Sequence, residues 1–590
     1  MALSDQTAGG TKGRTSHFVE RSLRLIVMFL GMSWLVFPTT GAEPAGSGEA
    51  LVIRLVHPER QAARVLSLFE GSRAAHPAAA LAAWKRATHD PGQLGKPLEA
   101  VIAFFNPEMA AEWRVFHDAE LHLDLDATNG KARWYLVVPR DDGTVAAAIT
   151  ATRLTDGGEE PPLVDQGNPL AVERLGQPGA PVSSQVGDTL VLASSRDELM
   201  RGLRRTQASR RPGEGIVVQP TDGQAPNGLS GPVPGTQLDS GLIFDLDPAG
   251  LAVAKSGSLG LRRAVELIRG LGCRRLRGTL ALKGDRLGLE LTTSLDRAAR
   301  PAQADGSAAI IDPAWLEGIP SAGVMGVISL ALDPSAAFWD SAFVLADRVE
   351  RIDPARAAVA PLRVRINLLA ASAGVRPEVD LWPHLRGVTA SLMGDPNQPG
   401  RPTGLLLVLH ADAVSSAERL TNEFLPRLRV LLPGGNRGEG RIPDVPDGKA
   451  AAKTAAGESR RIGRLGGRAL MVWRRDRNVL VAWGDDPLIN SLLVNGKPEQ
   501  SVAVLCKGWA REGRGAPQRV GAVWPARCSP TSHGLDAATP ALRVLADDPP
   551  VVWWGWSAPA VAHDSFECPE LRERVRRFLD QVPQNPPRTR

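Results

Sequence analysis

Two distant stretches of this chain carry nearly the same pattern of apolar and polar positions. TLVLASSRDELMRGL (Thr189–Leu203) and NVLVAWGDDPLINSL (Asn478–Leu492) both open on an alternating apolar run, pass an Asp and end on leucines in the same register. Alternation with a period of two is typical of a half-buried strand, and apolar spacing of three or four residues is typical of a helix. The pattern predicts a strand followed by a helix, present twice.

Other stretches repeat in the same order along the chain. The matched pairs are Leu51–Glu70 with Gly326–Leu345, Lys96–Phe105 with Pro383–Leu392, Trp134–Leu154 with Leu405–Leu425, and Val172–Gly176 with Ile462–Gly466. A partial match links Ser240–Leu251 and Leu261–Leu271 to Val551–Val561 and Leu571–Val582. The alternating hairpin expected over Arg274–Leu295 has no match before the chain ends. The sequence therefore predicts an α+β fold: two tandem copies of one unit, with mainly antiparallel or mixed sheets flanked by helices, the second copy lacking the last hairpin.

Segments rich in Gly, Pro and Asp divide the chain, because they hold too few large apolar residues to offset the entropy of ordering them. The predicted divisions are a signal peptide (1–42), a first α+β copy (43–205), a linker (206–240), a strand-helix-hairpin segment completing that copy (241–296), a second linker (297–321), a second α+β copy (322–495), a Cys- and Trp-containing segment partly echoing 241–271 (496–582) and a disordered tail (583–590).

Two recurring phrases, strand–Pro–helix and strand–Asp–helix, are spread over most of Leu51–Val582. In this respect the chain resembles a class of exported bacterial proteins of unknown function built from duplicated α+β domains. The resemblance implies an exported protein with an internal duplication. It brings no catalytic residues to transfer to this chain.

The N-terminus predicts export. Arg21 and Arg24 precede the uncharged run Leu25–Phe37, which is too short for a membrane span of about 20 residues and suits a signal-peptide core. Thr40–Ala42 supplies the small residues that a signal peptidase reads, so we expect cleavage after Ala42 and a periplasmic or extracellular location. An uncleaved N-terminal anchor is the alternative, and it is the one membrane contact that the sequence suggests.

Charge and cysteine content exclude further classes. The net charge of +5 over 590 residues is too small for a nucleic-acid binder, which carries a dense basic face. Four cysteines are too few for a disulfide scaffold, and none lies within four residues of another, so they do not suit zinc. Cys506 and Cys528 flank a Gly/Arg-rich loop and form the predicted disulfide.

One short strand offers the sharpest candidate chemistry. In ELHLDLD the polar residues Glu120, His122, Asp124 and Asp126 share one face, and three leucines share the other. Carboxylates beside an imidazole can hold a divalent cation or act as an acid–base pair. The simpler interpretation, which we favour, is the solvated face of a half-buried antiparallel strand.

The aromatic run VVWWGW offers a second candidate, with Trp553, Trp554 and Trp556 as a platform for sugar rings. Adjacent tryptophans point to opposite faces of a strand, and they align with Leu242–Phe244, so core packing is the favoured interpretation. The chain lacks the nucleophile-elbow, phosphate-loop, dinucleotide and HExxH motifs, and no cofactor or catalytic residue is predicted. The sequence favours a non-catalytic exported structural or binding unit with an unknown partner. The alternatives are a metal- or carboxylate-dependent hydrolase around Glu120–Asp126 and a glycan-binding protein.

Overall fold

The fold is described from a computed structural model. It describes parts of the chain, with short gaps inside several of them: residues 51–80, 119–139, 163–174, 182–209, 241–248, 273–295, 309–351, 360–427, 459–485, 501–505, 516–527 and 549–581. The predicted signal peptide (1–42), the linker 206–240 beyond residue 209, the tail 583–590 and both residues of the predicted Cys506–Cys528 disulfide lie outside these ranges.

The chain divides into two compact units. The first unit holds the described residues of Thr39–Asp296 and of Glu567–Arg590, and the second holds those of Arg297–Phe566. The elements of Thr39–Asp296 are β1 (Leu51–Val56), α1 (Pro58–Ser67), β2 (Glu120–Leu125), β3 (Ala132–Val138), β4 (Leu163–Asp165), β5 (Asn168–Leu170), β6 (Glu173–Arg174), β7 (Val182–Val186), β8 (Thr189–Ala193), α2 (Arg196–Ser209), β9 (Gly241–Leu246), β10 (Cys273–Lys283) and β11 (Arg286–Leu295).

The remaining elements follow in chain order: α3 (Ala314–Glu317), β12 (Val324–Ala331), α4 (Ala336–Arg351), α5 (Leu362–Ser372), α6 (Pro377–Asp380), a 3₁₀ turn (Trp382–His384), β13 (Leu385–Asp395), β14 (Gln398–Ala411), α7 (Val414–Arg419), a π turn (Leu420–Phe424), α8 (Leu425–Arg427), β15 (Ser459–Leu465), β16 (Arg468–Arg475), β17 (Asn478–Gly484), a 3₁₀ turn (Val502–Leu505), β18 (Arg519–Val523), β19 (Val551–Ala558), β20 (Val561–Cys568) and α9 (Leu571–Gln581). Strands dominate over helices. None of the helices in the described ranges is long and apolar enough to span a membrane.

The strand and helix predicted from the first repeated phrase are confirmed. All five residues of β8 are buried, and α2 follows it after two residues. Leu199 and Leu203, one helical turn apart on α2, are fully buried against Tyr135, Val137 and Val191 of the sheet. This spacing places both leucines on the same face of the helix, and that face packs on the strands.

The described residues of each unit form a ladder of nine strands, in which each neighbouring pair with a defined register is antiparallel. In the first unit the order is β11–β10–β9–β1–β2–β3–β8–β7–β6. In the second it is β20–β19–β18–β12–β13–β14–β17–β16–β15. The predicted mixed α+β class with mainly antiparallel pairing is thus observed, and strands outweigh helices in the described ranges.

The two orders correspond position by position. β1 takes the place of β12, β2 of β13, β3 of β14 and β8 of β17. The cross-strand pairs agree with the sequence matches as well: Leu136 pairs with Leu192, and their matched residues Leu407 and Val481 pair with each other. The pair β3–β8 comes from two different sequence stretches, and so does the pair β14–β17. Each stretch was matched separately, and the matched residues pair in the same register in both ladders.

Two of the sequence matches were wrong. The place of β13 in the first ladder is taken by Glu120–Leu125 rather than by Lys96–Phe105, which lies outside the described residues. The second ladder does not end before a last hairpin, because β19 and β20 hold the places in its strand order that β10 and β11 hold in the first. Trp553 and Trp554 therefore do not correspond to Leu242–Phe244. Short apolar strands resemble one another, so a match one strand out of place looks equally good.

The predicted linker 297–321 is also wrong in its second half. Ile311, Leu316 and Ile319 are fully buried in the core of the second unit, against strand residues such as Leu406 and Trp473. The helix α9, expected to echo Leu261–Leu271 within the second copy, belongs instead to the first unit.

Candidate functional site

The predicted polar face of β2 is not a solvated surface around His122. The imidazole of His122 is 1% exposed and stacks on the ring of Tyr135 on β3, with ring centroids 4.4 Å apart. Its Nε2 lies 3.3 Å from Oε2 of Glu120. The prediction of an exposed polar face is therefore wrong at His122, because the neighbouring strand covers it with an aromatic ring. The side chain of Asp124 and the whole of Asp126 lie outside the described residues.

Two arginines surround the carboxylate of Glu120. Nε of Arg54 on β1 lies 3.6 Å from Oε1, and Nε of Arg205 on α2 lies 3.7 Å from Oε2. Burial raises the pKa of Glu120, but His122, Arg205 and Arg54 together hold that pKa below its usual value. Glu120 is therefore a carboxylate balanced by positive charge, and this arrangement disfavours a general acid. No group of three metal-ligating side chains occurs in the part of the chain that the structure describes.

The second unit contains a buried polar chain that the sequence did not reveal. Ser329 Oγ lies 2.8 Å from Thr389 Oγ1, which lies 2.7 Å from His410 Nε2, and His410 Nδ1 lies 2.7 Å from Asn478 Oδ1. These residues stand on the four adjacent strands β12, β13, β14 and β17. A neutral imidazole protonated at Nδ1 satisfies the chain: Nδ1–H donates to Asn478, and Nε2 accepts from the Thr389 hydroxyl.

An indole ring packs on one side of these four hydrogen-bonded side chains. Trp315 stacks on His410 with ring centroids 4.3 Å apart, and it occupies the space that a side chain on Gly387 would need. Gly387 is the cross-strand partner of His410. Burial lowers the pKa of His410 to about 4, against the opposing effects of the Asn478 hydrogen bond and the Asp312 carboxylate.

A hydroxyl, an imidazole and an amide in this order resemble the nucleophile, base and orienting group of acyl-transfer enzymes. Two observations argue against that chemistry. Thr389 has no exposed surface, so a substrate cannot reach its hydroxyl. An imidazole with a pKa near 4 is also a weak general base at neutral pH. These hydrogen-bonded side chains instead satisfy one another's polar groups inside the core.

The same two ladder positions carry different chemistry in the two units. Arg54 pairs with Glu120 across β1 and β2, and Ser329 pairs with Thr389 across β12 and β13, at the corresponding places. One unit fills the positions with an ion pair and the other with two hydroxyls. The two hydroxyls form a hydrogen bond of 2.8 Å, whereas Arg54 and Glu120 interact by charge alone at 3.6 Å.

The tryptophan cluster is part of the core. Trp553 and Trp554 are buried, as the favoured interpretation predicted, and Trp556 is half-buried. Nε1 of Trp553 donates to Oδ1 of Asp564, which also accepts from Nη2 of Arg519 at 2.9 Å. Arg519 and Asp564 are 0% and 2% exposed, so this is a buried ion pair braced by an indole. An open platform of stacked indoles for sugar rings is absent at Trp553 and Trp554.

Cys273 is buried and forms no disulfide, so it is a poor candidate for a reactive-thiol site. Burial raises the pKa of its thiol to about 12. A thiol with so high a pKa is not converted to the reactive thiolate at neutral pH.

Comparison with protein-family models, with curated proteins and with solved structures found no match for this chain. The geometry of its own side chains is therefore the basis for a functional proposal.

Proposed function

We propose that this chain is an exported, non-catalytic protein that acts as a structural or binding unit at the cell envelope or outside the cell. One observation carries the proposal: among the described residues, the two polar clusters that could perform chemistry contact their own members. Glu120 lies against His122 and two arginines, and Thr389 has no exposed surface. A catalytic site needs such groups to converge on a space that substrate can enter.

The proposal includes an internal duplication of one nine-stranded module. Its support is the identical strand order of the two ladders and the agreement of their registers with the sequence matches. The different residues at corresponding positions, Arg54 and Glu120 against Ser329 and Thr389, are what independent divergence of two copies would leave. The two units share a strand order but not the polar residues at these positions. This fits a scaffold better than a pair of equivalent active sites.

The experiment measures hydrolysis by the purified chain of chromogenic esters, phosphoesters and glycosides. Two variants probe the two candidate sites, Thr389→Val in the second unit and Glu120→Gln in the first, since each keeps the shape of the side chain it replaces. We expect no turnover that distinguishes the natural chain from either variant. Turnover that disappears in one variant while its circular dichroism spectrum is unchanged overturns the proposal in favour of a hydrolase.

A further inference from the structure

We draw no further inference here: the strongest candidate, the stacked pair of half-buried indoles formed by Trp339 of α4 and Trp382 of the 3₁₀ turn before β13, has two buried N–H groups with no acceptor among the described residues, and nothing in the structure shows what would cover or bind the pair.

Discussion

The indole ring of Trp553 lies over Gly521, its cross-strand partner: a Cβ on Gly521 would lie 2.6 Å from Cε3 of Trp553. In the first unit the ring of Phe244 lies over its own cross-strand partner, Gly278, in the same way. Phe244 stands at the ladder position of Gly521, and Gly278 stands at that of Trp553. The aromatic ring and the glycine thus stand on opposite strands of the pair in the two units. In both, the ring takes the space that a side chain on the facing glycine would need, so a larger residue at either glycine would overpack the site.

Gly278→Ala should therefore destabilise the first unit by about 1–3 kcal/mol, because the new methyl group overlaps the Phe244 ring. Gly288→Ala on the adjacent strand β11 is the matched control, since its Cβ would meet only the Ala281 carbonyl oxygen at 3.9 Å. The control should be neutral, or stabilising by a few tenths to about 1 kcal/mol through the unfolded chain. Urea unfolding of both variants measures the difference. Equal stabilities would show that the ring moves aside freely.

The sequence predicted the mixed class of fold and the strand and helix at Thr189–Leu203, because strand and helix periods are local properties. It did not predict the strand order. The pairing of Leu136 with Leu192, and that of Leu407 with Val481, are known from the structure alone. The sequence also matched β9 to β19, because both strands carry an aromatic residue, Phe244 on one and Trp553 on the other. In each unit that aromatic residue pairs with a glycine on the neighbouring strand, and only the observed strand order shows that β9 and β19 hold different places in their ladders.

The candidate site was less predictable for a related reason. Alternation assigns His122 to the polar face of β2, and polar faces are usually solvated. Whether a ring such as Tyr135 covers that face depends on the neighbouring strand. His410 likewise gains Thr389, Asn478 and Trp315 as partners from three other segments of the chain. Because these partners lie far from His410 in the sequence, the sequence alone does not show that they meet around its ring.

The predicted signal peptide is open to a direct test. We expect the secreted chain to begin at Glu43, because the apolar run Leu25–Phe37 is followed by small residues at Thr40–Ala42. N-terminal sequencing of exported material checks this. A substitution of Ala42 by a bulky residue should block processing, and the same substitution at Ala50, outside the expected site, is the control. A membrane-retained chain with Leu25–Phe37 intact would establish the uncleaved anchor instead.

His410 predicts a loss of stability in mild acid. Its pKa is about 4 in the folded chain and about 6.5 in the unfolded chain. Between those values the unfolded state binds a proton that the folded state does not, so the free energy of unfolding falls as pH decreases from about 6.5 to about 4. The full difference amounts to about 3 kcal/mol.

Urea unfolding at pH 7 and pH 4.5 measures this loss. Carboxylates with lowered pKa values, Glu120 and Asp412, also favour the folded state less in acid, so the natural chain alone does not isolate the imidazole. His410→Gln supplies the comparison, since an amide can bond to Thr389 and Asn478 but does not titrate. We expect the acid-induced loss to be smaller in His410→Gln by about 2–3 kcal/mol. Identical losses in the two chains would mean that His410 is not buried as a neutral group.

The C-terminal helix α9 gives the last prediction. It follows β20 of the second ladder, yet it contacts the first unit near the end of α1 and at the β10–β11 turn. Arg572 Nη2 lies 3.1 Å from Glu70 Oε2, Arg73 Nε lies 3.5 Å from Asp580 Oδ1, and the Leu571 N–H donates to the Asp285 carbonyl oxygen. The charged groups are largely exposed, so these ion pairs contribute little. Leu579 is buried, so we expect its burial to contribute more to stability than these exposed ion pairs do.

Removal of everything after Pro569 should therefore destabilise the first unit, whereas removal of only the residues after Gln581 should not. Leu579→Ala isolates the apolar contribution and should cost about 2–4 kcal/mol, while Arg576→Ala, an exposed position on the same helix, should stay within about 0.5 kcal/mol. Hydrogen exchange locates the effect: amides of α1 should lose protection in the longer truncation, and amides of β14 should retain it. Unchanged protection of α1 would mean that the first unit is complete without the end of the chain. The expected result would mean that a segment from beyond the second ladder is needed to finish the fold of the first.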